Sequence, residues 1–318
     1  MTSKPSPYIS VVTPVYGCAE ALPELCQRLH IVLGSITPDY EIIMVNDACP
    51  DGSWAIIQSL ATEDSRVKGI NFSRNFGQHY AITAGLDFAR SDWVVVMDCD
   101  LQDIPEEIPK LHEVAQTGFD IVVGKRAERK DSLIRKWFSK NFYRLFSYFT
   151  GSKVDHRIAS FGIYSKKAIL SIRQLREQNR SFGLFALWVG FHRAEINVNH
   201  ATRVHGRSSY TLRKMLRLAF DSIVAHSDRL LRLTVMLGFT LSMLSFSYAL
   251  WIIIQYFLRS TPISGWTSLI VSIYFSTGVI IGAVGVVGLY VGKIFDEVKR
   301  RPLYLISDTT FELQDDEY

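Results

Sequence analysis

The sequence predicts an α/β domain with a mostly parallel sheet, followed by a two-helix membrane hairpin. Apolar, strand-like runs alternate with helix-like segments from residue 8 to residue 124. This alternation is typical of a parallel sheet that is covered by helices on both faces. Two uncharged stretches follow, one between Arg232 and Arg259 and one between Arg259 and Lys293. Each is longer than the ~20 residues that a helix needs to cross a bilayer.

The predicted elements follow one another in strand–helix order. The strand-like segments are YISVVTPVY, EIIMVND, VKGINFSRN, DWVVVMDCD and FDIVVGKR. The helix-like segments between them are residues 19–33, GSWAIIQSLATED, HYAITAGLDFAR and IPEEIPKLHEVAQTG. Two strands end in polar residues, at Asn46 and Asp47 and at Asp98 and Asp100. Ligands of such sheets bind beyond the carboxyl ends of the strands, so we expect these side chains to line one crevice.

Composition and cysteine usage place few limits on function. A net charge of +4 argues neither for nor against nucleic acid, and we expect no nucleic-acid partner. The N-terminal residues MTSKPSPYIS lack the apolar core of a signal peptide. No two cysteines have C-x-x-C spacing, so we predict reduced thiols in a cytoplasmic domain at Cys18, Cys26, Cys49 and Cys99.

Lys and Arg residues cluster outside the two uncharged stretches, which predicts that both chain ends lie in the cytoplasm at the inner membrane. The expected organisation is a domain of residues 1–228, a hairpin of residues 229–292 and a cytoplasmic tail of residues 293–318. The hairpin spans are about 233–258 and 265–292. The acidic tail sequence SDTTFELQDDEY is expected to be mobile.

Two further segments predict contacts with a bilayer or with another copy of the chain. Residues 131–149 place apolar side chains on one helical stripe flanked by basic residues, which predicts an interfacial amphipathic helix. Residues 210–228 have a similar character, and the alternative is ordinary helices packed on the domain. In the second span, the pairs Gly278–Gly282 and Gly288–Gly292 allow close helix approach, within the hairpin or in a homo-oligomer.

The acids Asp98 and Asp100 point to a divalent cation. They are separated by one residue at the end of a buried strand. Two close carboxylates repel each other unless a cation or a proton intervenes. Oxygen ligands without a nearby histidine suit Mg²⁺ or Mn²⁺, and substrate phosphates usually complete the coordination of such an ion. The alternative is a pair of solvated acids in a loop.

Several motifs in a fixed order resemble family 2 glycosyltransferases, which have the Rossmann-like GT-A fold. These motifs are SVVTPVYGCAEALPEL, EIIMVNDACPDGS, FSRNFGQHYAITAGLDFAR and VVVMDCDLQDIPEEIP. RVHGRSSY and EVKRRPLY, on either side of the hairpin, are similar to a membrane-anchored branch of that family. This branch includes dolichol-phosphate mannose synthase-like and bactoprenol glucosyltransferase-like enzymes. The resemblance implies a metal-dependent, inverting hexosyltransferase that moves a sugar from a nucleotide sugar to polyprenyl phosphate.

The resemblance also implies roles for individual residues. The nucleotide sugar, expected to be a UDP-sugar, would contact Pro14, Tyr16, Asp47, Asp98 and Gln102. The metal would be held by Asp98, Asp100 and Gln102. The acceptor phosphate would be held by Arg126, Arg135, Ser139 and Arg203. The residues implied in catalysis are Asp100, Asp155 and Arg203.

Departures from the family pattern leave the sugar and the acceptor open. Asn46 stands where many relatives have a first Asp, and Ser160 and Gly162 stand where Asp and Arg often occur. A lipid phosphate needs no base, because its second pKa is about 6. If the acceptor were instead a hydroxyl of a lipid-linked saccharide, a base would be required, and Asp155 is the nearest acid. A non-catalytic scaffold is a third hypothesis, but it would be expected to have lost Asp98 or Asp100.

Overall fold

The chain forms two units in the computed structural model, which describes residues 6–126, 158–201, 229–259 and 265–312. The first unit contains residues 1–143, 152–209 and 301–318. The second contains residues 144–151 and 210–300. The predicted interfacial helices at 131–149 and 210–228 lie outside the described residues.

The first unit is built on a sheet whose described strands number eight. The strands are β1 (Ile9–Val15), β2 (Tyr40–Asn46), β3 (Val67–Phe72), β4 (Trp93–Val96), β5 (Ile121–Arg126), β6 (Ile158–Ser165), β7 (Arg193–Val198) and β8 (Ile306–Thr309). Their order is β7-β5-β6-β4-β1-β2-β3-β8. Strands β4, β1, β2 and β3 are parallel neighbours, as are β5 and β7. Strands β6 and β8 run antiparallel to their neighbours.

Helices cover both faces of this sheet, which confirms the predicted architecture. The helices are α1 (Leu22–Ile36), α2 (Ser53–Glu63), α3 (Gln78–Phe88), α4 (Ile108–Gln116), α5 (Lys166–Gln174) and α6 (Phe182–Trp188). One apolar core lies under α1, α2 and α4, and the other lies under α3, α5 and α6. Strand β1 contributes to both cores: Val11 packs into the first and Val12 into the second, and both are fully buried. Strand side chains alternate between the two faces of a sheet, so a run buried on both faces reads as continuously apolar.

Local sequence signals begin two of these helices and bring a third close to the sheet. Pro23 lies in the first turn of α1, where its missing N–H is not needed. Ser165 caps α5, because its side chain accepts a hydrogen bond from the Ala168 backbone N–H. Gly85 lets α3 approach β1, since a Cβ at this position would collide with Val12.

The C-terminal segment returns to the first unit, so the prediction of a mobile tail is wrong for residues 307–309, which lie in β8 (Ile306–Thr309). This strand pairs antiparallel with β3. The neighbouring Thr310 donates from its backbone N–H to the Gly69 carbonyl at 3.1 Å. Tyr304 stacks on Phe72 with ring centroids 5.2 Å apart. Strand β8 therefore covers the edge of β3, which would otherwise present unpaired backbone groups.

Two of the cysteines form a disulfide, so the prediction of four reduced thiols is wrong for this pair. Cys18 and Cys99 are bonded although they are 81 positions apart in the sequence, and their Cα atoms lie 6.3 Å apart. Cys26 and Cys49 are free. Cys18 follows β1 and Cys99 follows β4. The carboxyl ends of these two parallel neighbours meet, which brings the two residues together.

The second unit contains two long apolar helices, α7 (Arg229–Arg259) and α8 (Trp266–Val298). Their segments 229–248 and 269–298 are long and apolar enough to cross a membrane. Apolar side chains such as Phe239, Phe246 and Ile281 are exposed along both helices. A Cβ added at any of the five glycines of α8 would meet open space. Within the described residues these glycines therefore show no close approach to another helix, and their use in the hairpin or in a homo-oligomer stays a prediction.

Candidate active site

The polar side chains predicted to cluster do follow strands that end at one edge of the sheet. Strands β1, β2, β3 and β4 are parallel, so the segments after Val15, Asn46, Phe72 and Val96 emerge at the same edge. Strand β6 runs antiparallel to both β4 and β5, so β5 and β7 also end there. This is the edge at which open α/β sheets bind ligands.

The loop after β1 is fastened to the loops on either side of it. The disulfide joins it to the loop after β4. The Gly17 backbone N–H donates to Cys49 Sγ at 3.0 Å, and the Ala19 N–H donates to Asp51 Oδ2 at 3.1 Å. Gly17 has φ +72°, a left-handed conformation that glycine adopts at little cost. These contacts hold Tyr16 at the edge with 56 % of its surface exposed.

Two of the predicted nucleotide residues thus differ in position. Tyr16 stands exposed beside the crevice, where its ring is available to a ligand. Pro14 lies inside β1, buried and opposite Val45 of β2. Because its side chain is buried, Pro14 could affect the pocket only through the backbone path of β1. Its predicted contact with the nucleotide stays a prediction.

The Asp47 carboxylate holds the loop that leads into α3. Its Oδ1 accepts the Phe76 backbone N–H at 2.7 Å, and its Oδ2 accepts the Gly77 N–H at 2.9 Å. Burial raises the pKa of Asp47, and these two hydrogen bonds and the nearby charge of Arg74 oppose that rise. Both carboxylate oxygens of Asp47 thus accept hydrogen bonds from backbone N–H groups. The predicted contact between Asp47 and a nucleotide base stays a prediction.

The DCD loop (residues 97–103) is folded by its own acids. Asp98 Oδ1 accepts a hydrogen bond from Gln78 Nε2 at 2.7 Å. The Asp98 backbone N–H donates to Asp103 Oδ2 at 3.2 Å, and the Gln102 N–H donates to Asp100 Oδ1 at 3.1 Å. Asp103 is buried, whereas Asp98 and Asp100 are half-buried at the crevice. Asp98 and Asp100 therefore lie at the edge of the sheet, partly exposed, whereas the buried Asp103 holds the loop through its hydrogen bond to the Asp98 backbone.

Two non-glycine residues with positive φ mark the same edge. Leu101 in the DCD loop has φ +60°, and Ala48, directly after Asp47, has φ +49°. Left-handed conformations cost side chains of this kind about 1–3 kcal/mol and concentrate at functional sites. The Leu101 side chain is buried in the core, which anchors the turn in this conformation.

The segment that follows β7 is attached to the DCD loop. His200 pairs with Asp103 in an isolated bridge, and its Nδ1 lies 2.5 Å from the Gln102 carbonyl oxygen. The Ala201 N–H donates to the same oxygen at 3.0 Å. The chain therefore passes the carboxylates shortly before it reaches Arg203, which itself lies outside the described residues.

Of the predicted acceptor residues, only the backbone of one is described. Arg126 is the last residue of β5 and pairs with Val198, so its backbone lies at the crevice edge. The other residues predicted to hold the acceptor or to act as base lie outside the described residues: Arg135, Ser139, Asp155 and Arg203.

The carboxylates of the DCD loop suit a divalent cation that is bound together with a substrate. Among the described residues, no group of three or more His, Cys, Asp or Glu side chains could hold a metal alone. Asp98 and Asp100 supply carboxylate oxygens, which Mg²⁺ and Mn²⁺ prefer. Such an ion would take its remaining ligands from water and from phosphate oxygens.

Sequence reasoning missed Gln78 and Arg74, which also face this edge. Gln78 is the first residue of α3 and contacts Asp98. Arg74 is exposed, with its guanidinium 4.0 Å from the Phe76 ring centroid. Both belong to SRNFGQ, the segment that directly follows β3. Its position after a strand could have identified it as part of the crevice.

Comparison with known proteins agrees with this geometry. The glycosyl transferase family 2 model matches residues 10–172, just over half of the chain. The SfII prophage-derived bactoprenol glucosyl transferase of Shigella flexneri is 35% identical over 94% of this chain and 97% of its own length. An undecaprenyl-phosphate 4-deoxy-4-formamido-L-arabinose transferase of Pseudomonas fluorescens is 34% identical over 95% of this chain and 90% of its own.

A solved structure shares the fold of the first unit. It is glucosyl-3-phosphoglycerate synthase of Mycobacterium tuberculosis, in complex with Mn²⁺, uridine diphosphate and phosphoglyceric acid. The TM-score is 0.50 at 15% identity, over 69% of this chain and 76% of the other. The matched family, the relatives and the fold together confirm the resemblance read from the motifs. The chain belongs to glycosyl transferase family 2.

Proposed function

We propose that this protein transfers a sugar, with inversion, from a nucleotide sugar to polyprenyl phosphate at the cytoplasmic face of the membrane. The observation that carries the proposal is the DCD loop, which presents Asp98 and Asp100 at the carboxyl edge of a parallel sheet. Relatives named for sugar transfer to bactoprenol and undecaprenyl phosphate match nearly the whole chain, including α7 and α8. The similarity therefore extends beyond the sugar-transfer domain to the segments suited to a lipid substrate.

On the donor side, the residues of the crevice have distinct tasks. Asp98 and Asp100 would bind Mg²⁺ or Mn²⁺, and the ion would in turn bind the donor diphosphate. Gln102 would contribute to the same metal site. When bound there, such a cation stabilises the charge that develops on the nucleoside diphosphate leaving group. Tyr16 offers an exposed ring to the base or ribose. We assign a UDP-type donor, and the Mycobacterium tuberculosis enzyme of similar fold, with uridine diphosphate and Mn²⁺, is consistent with this choice.

On the acceptor side, the phosphate oxygen is itself the nucleophile. A lipid phosphate is largely dianionic at neutral pH, so no side chain has to remove a proton from it. The difficulty is the approach of one anion to another, which arginines relieve by binding the acceptor phosphate. We assign this task to Arg126, Arg135 and Arg203, with Ser139 beside them. Ala201, the last described residue before Arg203 in the sequence, donates its backbone N–H to the Gln102 carbonyl oxygen, which supports this assignment for Arg203.

The order of elements along the chain supports a membrane hairpin whose two ends lie on the same side. Helices α7 and α8 come after β7 and before β8, and β7 and β8 belong to one sheet. If both helices cross the membrane, the chain returns to the side from which it left, as one sheet that holds both β7 and β8 requires. Lys and Arg residues flank the outer ends of the two helices, so we assign that side to the cytoplasm.

One departure from the family pattern, at Gly162, has an explanation in the packing of the sheet. Gly162 lies in β6, where an added Cβ would come within 2.7 Å of the Val122 carbonyl oxygen. No larger residue fits there without a shift of the backbone. Gly162 therefore gives no support to transfer onto a saccharide hydroxyl, and Asp155 is needed as a base only in that alternative.

The metal assignment can be tested with a single substitution and a matched control. Full-length protein in nanodiscs would receive a UDP-sugar, Mn²⁺ and polyprenyl phosphate, and released UDP would be measured. Asp100→Asn removes a charged oxygen ligand, so we expect transfer to fall by about 10³-fold, since such a cation contributes several kcal/mol to transition-state stabilisation. The matched control is Asp92→Asn, which changes an exposed aspartate whose Oδ1 lies 3.4 Å from Lys166 Nζ. This variant should transfer the sugar at the wild-type rate. Full activity of Asp100→Asn would refute the assignment.

A further inference from the structure

The Cys18–Cys99 disulfide joins the two loops that would bind the nucleotide and its metal. Cys99 is the middle residue of DCD, between Asp98 and Asp100. Cys18 follows the exposed Tyr16 by two positions. Both cysteines are 6% exposed and pack into the core beneath these loops. A covalent change at this pair therefore acts directly on the proposed donor site.

Reduction of this bond would have to change the geometry of the loops. Bonded sulfur atoms lie closer together than two thiols can pack, so reduction moves Cys18 and Cys99 apart or forces new side-chain rotamers. The pair is enclosed by core side chains, so a displacement of Cys99 must carry Asp98 and Asp100 with it. On the β1 side, the corresponding displacement carries Tyr16.

The other two cysteines are poor partners for exchange with this bond. Cys49 lies close by, because its sulfur accepts the Gly17 N–H at 3.0 Å. Burial raises the pKa of Cys49, so its thiol is mostly protonated and weakly nucleophilic at neutral pH. Burial also raises the pKa of Cys26, to about 11. The bond is therefore expected to open by reaction with an external thiol, without rearrangement inside the protein.

We propose that Cys18 and Cys99 form a reversible thiol–disulfide site that sets the affinity of the donor site for its metal–nucleotide complex. The inference rests on the proposed function, since it concerns the regulation of the same site. A dithiol reductant attacks the bond through a mixed disulfide and leaves as its own disulfide. In that step Cys18 and Cys99 together accept two electrons and two protons. In the reverse direction, a low-molecular-weight disulfide such as oxidised glutathione is reduced to two thiols.

The disulfide form is the state of higher affinity. The crosslink restricts the loops that carry Tyr16 and the two acids, so less conformational freedom is lost when the nucleotide binds. Reduction releases this restraint, and the loops then have to be ordered by the ligand.

The test uses the full-length protein in nanodiscs, equilibrated with oxidised glutathione or with excess dithiothreitol. Peptide mass spectrometry reports the state of the bond. Calorimetry measures the Kd of UDP in the presence of Mn²⁺, and hydrogen exchange measures the amides of residues 97–103. We expect the reduced protein to bind UDP about tenfold more weakly, the equivalent of ordering one or two side chains, and to exchange these amides faster.

Two substitutions separate the pair from the nearby thiol. Cys18→Ser should bind with the weaker affinity in both buffers, whereas Cys49→Ser should respond to reduction like the wild type. Three results would overturn the proposal: no Cys18–Cys99 bond in oxidised glutathione, equal affinity in both states, or tighter binding after reduction. If Cys18→Ser does not fold, the comparison of oxidised and reduced wild-type protein decides alone.

Absence of UDP binding in both states would refute the proposed function instead. In that case the amide hydrogen exchange of residues 97–103 tests the redox proposal. Equal exchange rates in the oxidised and the reduced protein would overturn it.

Discussion

Gln78 donates a hydrogen bond from its side-chain Nε2 to Oδ1 of Asp98 across 2.7 Å. The preceding residue, Gly77, donates its backbone N–H to Oδ2 of Asp47 at 2.9 Å. The start of α3 thus contacts an acid of the β2 loop and an acid of the β4 loop. One oxygen of the Asp98 carboxylate is thus held by a side chain at the start of α3.

Replacement of Gln78 should weaken metal–nucleotide binding without unfolding the protein. Gln78→Ala removes the hydrogen bond that the exposed Gln78 side chain donates to the charged Asp98 oxygen. We expect the free energy of Mn²⁺ binding to weaken by about 1 kcal/mol, which raises the Mn²⁺ concentration for half-maximal activity about fivefold. Steady-state kinetics over a Mn²⁺ titration provide the measurement. Gln58→Ala, at an exposed position of α2, is the matched control. An unchanged Mn²⁺ requirement would show that Gln78 does not orient Asp98.

Asp103 should matter for the stability of the DCD loop. It is 3% exposed and accepts the Asp98 backbone N–H at 3.2 Å. Asp103→Ala leaves that partly buried donor without its acceptor, which should lower the free energy of unfolding by about 2 kcal/mol. Asp103→Asn keeps an acceptor oxygen and should lose less. Urea unfolding followed by tryptophan fluorescence would measure both, and equal stability of Asp103→Ala and wild type would contradict this role.

The Arg66–Asp64 ion pair should make stability depend on pH in the acid range. Arg66 Nη2 lies 2.6 Å from Asp64 Oδ2, and this hydrogen bond is the main reason why the pKa of Asp64 falls to about 2. A carboxyl with a lowered folded-state pKa stabilises the fold above its unfolded pKa and loses that contribution as pH falls. We therefore expect stability to fall between about pH 4 and pH 2. In Asp64→Asn this part of the decline should be absent.

Acid titrations of wild type, Asp64→Asn and Asp39→Asn would test the assignment. Asp39 is exposed and serves as the control, so its variant should follow the wild-type curve. If Asp64→Asn also followed that curve, the ion pair would contribute nothing measurable to the acid dependence.

The C-terminal segment should stabilise the first unit through Tyr304. Its ring stacks on Phe72, and its hydroxyl donates to Asp87 Oδ2 at 2.9 Å. Tyr304→Phe removes only the hydrogen bond and should cost about 1 kcal/mol, whereas Tyr304→Ala also removes the ring and should cost about 3 kcal/mol. Urea unfolding of the two variants gives both values. Wild-type stability of Tyr304→Ala would indicate that β8 does not hold the domain together.

The sequence predicts the strands and the edge at which the acids meet because both depend on local patterns. A buried strand shows as a continuous apolar run, and Asp47, Asp98 and Asp100 directly follow such runs. The parallel order of β1 and β4 then follows from the alternation with helices. For these reasons the meeting of Asp47, Asp98 and Asp100 at one edge of the sheet was predictable from the sequence, and their binding of the donor stays a prediction.

Features that depend on contacts distant in sequence were not predictable in the same way. Strand β8 has only the short sequence ISDT, and its pairing with β3 depends on the return of the chain after α8. Cys18 and Cys99 have no spacing signal and come together only because β1 and β4 are neighbours. The contact between Gln78 and Asp98 likewise requires that the start of α3 and the end of β4 share one edge.

Sugar transfer to polyprenyl phosphate is tested by the chemical identity of the lipid product. Purified full-length protein in nanodiscs would receive polyprenyl phosphate, Mn²⁺ or Mg²⁺ and a panel of nucleotide sugars, and the lipids would be analysed by mass spectrometry. We predict a glycosyl phosphoprenol whose mass exceeds that of the acceptor by one sugar residue, formed only when a divalent cation is present. Metal-dependent binding of nucleotide with no such lipid, and transfer instead to a saccharide hydroxyl, would contradict this prediction.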